Sequence, residues 1–131
     1  MTKMTSSSNA ATSAAWAGDY FDRGHMISGS ILDATGFTLV GTKKPVVSGT
    51  LVGRTYAEQV AGTGFGPAAD TDDEMYLVAF DVEDALDLAD VELYRHGSMV
   101  KEDLLPQWGD PLSAAQIAYI RANYATIQSA A

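Results

Sequence analysis

The chain has 131 residues, a mass of 13.9 kDa, a formal charge of −9 and a pI near 4.3, which bounds it to one domain by size. Only eight Lys and Arg are scattered along it, so a nucleic-acid-binding surface and attraction to anionic membranes are excluded as expectations. With no Cys, disulfides, thiolate metal sites and cysteine nucleophiles are excluded as well.

No apolar run approaches the length of a membrane span. The start, MTKMTSSSNAATSAAW, has no apolar h-region of a signal peptide, so synthesis in a cytoplasm is expected. The 47% hydrophobic content overstates the core, because many of these residues are Ala. A small Ala- and Gly-rich domain is a candidate for added stability from self-association.

In chain order, residues 1–20 are expected to form a flexible arm. Ser, Thr, Ala and Asn dominate it up to Trp16, and such a segment cannot bury enough surface to offset its ordering entropy. Trp16, Tyr20 and Phe21 close the arm. They either pack on the edge of the domain or order only on a partner, with Trp16 as anchor. The remaining residues, 21–131, make up the folded domain.

From 25 to 52 the pattern is β-like. Ile27, Gly29 and Ile31 alternate with Ser28 and Ser30, and residues 37–40 and 46–52 give two further short apolar runs separated by turn signals. Residues 62–67 (GTGFGP) read as a loop, followed by the acidic run Asp70, Asp72, Asp73 and Glu74. Residues 75–80 (MYLVAF) are apolar on both faces and read as a central buried strand.

Asp81, Glu83, Asp84, Asp87 and Asp90 read as a polar connection carrying one helical turn. Residues 91–95 (VELYR) form a half-buried strand with Val91 and Leu93 inward, and 96–98 turn the chain. Ser113 with Gln116 is a capping box, and Leu112 with Ile117 a hydrophobic staple. Ile117, Ile120 and Tyr124 then share one helix face. The expected fold class is α+β, mostly β: a compact β-rich domain with a C-terminal helix.

No arrangement in the chain carries catalysis. His25 and His96 are far apart in sequence and read as turn and surface positions. G-x-S-x-G, H-E-x-x-H and Walker patterns do not occur. The 62–66 glycines do not open a helix as a dinucleotide fingerprint requires. Counted from Asp70, the sixth position of a calcium loop is Met75 where Gly is needed, so the acidic run reads as a solvated turn. An acid-dyad hydrolase built on the acidic clusters lacks the aromatic residues that sugar binding needs. The chain is expected to be no enzyme and to hold no cofactor or metal.

Residues 75–83 (MYLVAFDVE) followed by 91–108 (VELYRHGSMVKEDLLPQW) and the apolar tail AYIRANYATIQ closely resemble the C-terminal half of the head decoration proteins of lambda-like tailed phages. The N-terminal half matches only in its organisation, a polar arm followed by short strands, and it lacks a Pro-rich arm.

The resemblance implies a β-tulip-like domain that binds as homotrimers over three-fold and quasi-three-fold positions of the expanded head. Its partner there is the major capsid protein, and its location is the outer surface of the virion. It implies that the arm adds a strand to capsid elements, with Ala14, Ala15, Trp16, Tyr20 and Phe21 as capsid contacts. It also implies a trimer- or capsid-facing loop at Leu104, Leu105, Pro106 and Trp108, for which ordinary core closure is the competing reading. The rival assignment is a tail, baseplate or receptor-binding knob of a phage.

Overall fold

The computed structural model describes residues 14–18, 23–87 and 90–129. Among these residues the fold is mostly β, with seven strands and two short α-helices. A five-stranded antiparallel sheet runs in the order β1 (Met26–Ile31), β5 (Asp90–Tyr94), β4 (Glu74–Val78), β2 (Leu51–Arg54), β3 (Gly66–Pro67). A second, parallel pair joins β6 (Met99–Lys101) to β7 (Ala125–Ile127). Helix α1 is Tyr56–Ala61 and α2 is Ala114–Asn123.

The period-2 pattern explains why both faces of the sheet are apolar. Leu51, Met75, Leu77 and Tyr94 enter one core with Val100, Leu105, Ile120 and Tyr124. Their sequence neighbours Val52, Val78 and Leu93 enter the other with Leu32, Val46 and Phe65. Past β1, Leu32 bridges Phe65 in parallel, with the Asp33 N–H to the Phe65 carbonyl at 2.8 Å and the Phe65 N–H to the Ile31 carbonyl at 2.9 Å. The two outer strands of the sheet meet there and curl it around the second core. Gly64 permits the approach, since a Cβ on it would lie 2.7 Å from the Ile31 carbonyl oxygen.

Helix α2 starts as expected. Ser113 Oγ accepts the Gln116 N–H and Gln116 Oε1 accepts the Ser113 N–H. Ile120 is fully buried and Tyr124 nearly so. The expected strand over 46–52 is displaced: β2 begins at Leu51, and Val46 makes only an isolated bridge to Val82. Residues 37–40 do not form a strand either. Only Val40 bridges, to Lys43 in its own turn. Helix α1 precedes the expected 62–67 loop, in a stretch for which the sequence reading named no element; it is capped by reciprocal Thr55 and Glu58 bonds and ended by Gly62 in the left-handed region.

Candidate interaction surface

The segment 91–112 is a scaffold in which most polar side chains bond to another element. Tyr94 donates its hydroxyl to the Met99 carbonyl at 2.7 Å. The Tyr124 hydroxyl donates to the Tyr94 carbonyl at 2.6 Å and accepts the Leu77 N–H at 3.2 Å. Burial pushes the Tyr124 phenol well above its ordinary pKa, so it remains a donor throughout the usable pH range.

Glu102 is buried and receives two bonds from the Arg121 Nε and one from its outer guanidinium nitrogen, the shortest at 2.7 Å. These bonds raise the pKa of Arg121, which also lies over the Trp108 ring at 5.3 Å. Gln107 Oε1 accepts the Leu51 N–H at 3.0 Å and so fixes the loop to β2.

The histidines are half-buried and bonded into the same scaffold, His96 in the turn after β5 as expected. The Nε2 of His96 lies 2.7 Å from the Met75 carbonyl, which can only accept, so this nitrogen carries the proton. Its ring stacks on Tyr76 at 4.2 Å and meets Tyr124 edge-on at 5.2 Å. His25 Nδ1 bonds the buried Ser98 hydroxyl at 2.8 Å. Pairing of β1 with β5 brings the two histidines to one end of the sheet, yet each is engaged by a structural partner. The sequence held no signal for this, because the stacking partners come from β4 and α2.

The expected contact residues separate. Trp16 is 3% exposed, meets Tyr94 edge-on at 4.8 Å and donates Nε1–H to Ser48 Oγ at 3.2 Å. Its carbonyl accepts the Lys101 N–H at 2.6 Å. Of its two readings, packing on the domain is the one the structure shows, with ring and carbonyl both engaged by the fold.

Ala14 is half-buried beside it and Ala15 exposed. Tyr20 and Phe21 lie outside the described residues. The arm drawn over 1–20 thus includes a stretch, 14–18, that is packed on the fold. In the loop, Leu105 is core and Trp108 half-buried against it, whereas Leu104 and Pro106 are exposed. Core closure accounts for two of the four, and the other two face outward.

Gly49, at φ +90°, is pressed between Trp16 and Pro106. A Cβ there would lie 2.8 Å from both.

Beside Leu104, Ile31 and Ile127, the other exposed large apolar side chains lie in two places. Leu39, Val40 and Val47, each more than half exposed, belong to the turn-forming segment 37–47, with Leu86 beside it. That segment is tied to the connection after β4. The Lys44 N–H donates to Asp84 Oδ1 at 3.0 Å, the Ala85 N–H to the Lys44 carbonyl at 2.8 Å, and the Ser48 N–H to Asp81 Oδ1 at 2.7 Å. The N–H groups of Lys44 and Leu86 hold the Asp84 carboxyl below its usual pKa.

At the other end of β4, Tyr56 and Val60 project from α1, Val60 at 88% exposure. There the Tyr56 N–H is anchored on Asp73 Oδ2 at 2.8 Å. Burial raises the pKa of neighbouring Asp72.

A cavity of about 120 Å³ lined by Leu51, Pro67, Gln107, Leu112 and Gln116 is smaller than the roughly 300–1,000 Å³ of a drug-sized ligand site. Among the described residues no group of three or more His, Asp and Glu is placed to hold a metal, and no helix is long and apolar enough to cross a membrane. No protein-family model, curated protein or solved structure matches the chain.

Proposed function

We propose that the protein is a non-enzymatic capsid decoration protein. It binds as trimers at three-fold and quasi-three-fold positions of an expanded phage head and stabilises the shell against the pressure of packaged DNA. The observation that carries this reading is the fate of the segment LYRHGSMVKEDLLPQW, whose ordered motif positions resemble the decoration family. Its Tyr, His and buried Glu are tied up in holding β4, β6 and α2 together, as suits a rigid knob whose work is contact.

The mechanism is thermodynamic. A ligand that binds only the expanded shell stabilises that state by mass action. Three copies joined in one particle raise the effective concentration of each further contact once the first has formed. The polar residues 1–13 precede the packed Ala14–Trp16 stretch, and in this reading they supply the strand added to the capsid.

Co-sedimentation with compact and expanded capsids tests the proposal. Saturable binding to the expanded form, near three copies per three-fold site, is expected, and a chain lacking residues 1–13 should stay folded but lose attachment. A deletion through Asp19 would be uninformative, since it also removes Trp16 from the core. Absence of binding to both forms would overturn the decoration reading in favour of a tail or receptor-binding knob.

A further inference from the structure

Residues 14–18 form a tight turn laid on the fold. The N–H groups of Ala17 and Gly18 both donate to the Ala14 carbonyl at 2.9 Å. The turn lowers Trp16 into a slot that three distant parts of the chain build. Tyr94 of β5 meets the ring edge-on, Ser48 accepts its Nε1–H, and Lys101 of β6 donates its N–H to the Trp16 carbonyl at 2.6 Å. Gly49 completes the wall. It sits at φ +90°, and a Cβ there would lie 2.8 Å from Trp16 Nε1 and from Pro106, so the slot is closely fitted to an indole.

The bond to Lys101 follows from the ladder. The Ala125 N–H donates to the Ser98 carbonyl, and β6 and β7 pair in parallel from Met99 opposite Ala125. The Val100 backbone groups therefore face β7, while the Met99 carbonyl and the Lys101 N–H face the other edge of β6. The Tyr94 hydroxyl takes the first and the Trp16 carbonyl the second. Ring and backbone are thus held at one point, and tension on the chain ahead of residue 14 falls on a buried aromatic and a strand-edge hydrogen bond.

Ahead of this turn stand residues 1–13, made of Met, Thr, Lys, Ser, Asn and Ala, with too little apolar area to fold alone. Downstream of it, the chain is bonded to the sheet by the His25 carbonyl, which accepts the Arg95 N–H at 2.7 Å.

We propose that Trp16 is the positioning residue of the arm: it fixes the point at which residues 1–13 leave the fold and so sets the length of the tether between domain and shell. This rests on the decoration reading above and names what holds the arm. With Trp16 released, the tether would run from residue 1 to as far as residue 24 instead of residue 13. Effective concentration falls as roughly the −3/2 power of tether length, which is about 2.5-fold for each arm bound after the first and about sixfold for two.

Dissociation from expanded capsids tests this for the native chain, Trp16→Ala, Trp16→Phe and a chain with about ten Gly and Ser residues inserted between Ser13 and Ala14. The insertion lengthens the tether without touching the slot, so its urea midpoint should equal that of the native chain. The insertion and Trp16→Ala are expected to dissociate roughly two- to sixfold faster, and Trp16→Phe, which still fills most of the slot, at the native rate. By hydrogen exchange the Lys101 amide should be protected both in the free chain and on the capsid.

An insertion that leaves dissociation unchanged, or a Lys101 amide that exchanges like an open chain in either state, would overturn the proposal. These two readings decide the matter even where Trp16→Ala does not fold. Native chain that attaches but ignores the insertion would remove the tether point alone and leave the decoration reading standing. Native chain that attaches to neither capsid form would overturn both.

Discussion

Residues 91–124 and residues 37–47 are both rich in apolar side chains, and the fold treats them in opposite ways. In the first, Tyr94, Val100, Leu105 and Ile120 are buried, and the polar groups Glu102, Gln107 and Tyr124 bond across elements. In the second, Leu39, Val40 and Val47 stand largely in water, and the segment is held from behind by Asp81 and Asp84. The difference teaches that an apolar run becomes core only when the topology supplies a neighbour on both its backbone edge and its side-chain face. An apolar run without such a neighbour is a place to look for a partner.

The strongest way to break the comparison is at Trp16, which belongs to the scaffold although it lies far from it in sequence. Trp16→Ala should cost about 4 kcal/mol, as truncation of a buried aromatic does, read from the urea midpoint. A loss below about 1 kcal/mol would mean that residues 14–18 detach without consequence and that the scaffold ends at β6.

Acid sharpens the comparison, because each region contains one depressed carboxylate that clamps a segment. Asp84 is held low by the N–H groups of Lys44 and Leu86. Asp103 is held low by the Ser129 hydroxyl and N–H, which fasten the C-terminal tail to the scaffold. With the folded pKa below the ordinary value of 3.8, the released segments bind protons more readily than the bonded ones. Both clamps are therefore complete above that value and weaken as pH falls through it towards the folded pKa. Hydrogen exchange at Lys44, Leu86 and Ser129 should accelerate in that window, relative to the buried Leu77 amide. Equal protection at all four would sink the clamp argument.

The smallest effect is expected at the exposed segment itself. Leu39→Ser should change the stability of the isolated chain by no more than about 0.5 kcal/mol while weakening any association that uses that face. A loss above about 2 kcal/mol would place Leu39 in the chain's own core.

Much of the scaffold was legible because its signals are local. Ser113 and Gln116 form the capping box that their spacing announces, and the two-sided burial of β4 follows from MYLV having no polar face. Helix α1 also carries a local signal, the Thr55 and Glu58 capping box, but its six residues are too few to show a helical period and no element was assigned there. The short parallel pair β6–β7 had no local signal, because its partners are more than twenty residues apart.

The sequence by itself determined the class of the fold, the alternation that buries both faces of the sheet, and the start of α2, since each depends on neighbours within a few residues. Only the tertiary structure decided that Trp16 is core, that His96 stacks between β4 and α2, that Glu102 meets Arg121, and that residues 37–40 find no strand to join. These outcomes depend on which distant segments share a surface, and periodicity along one chain carries no record of that.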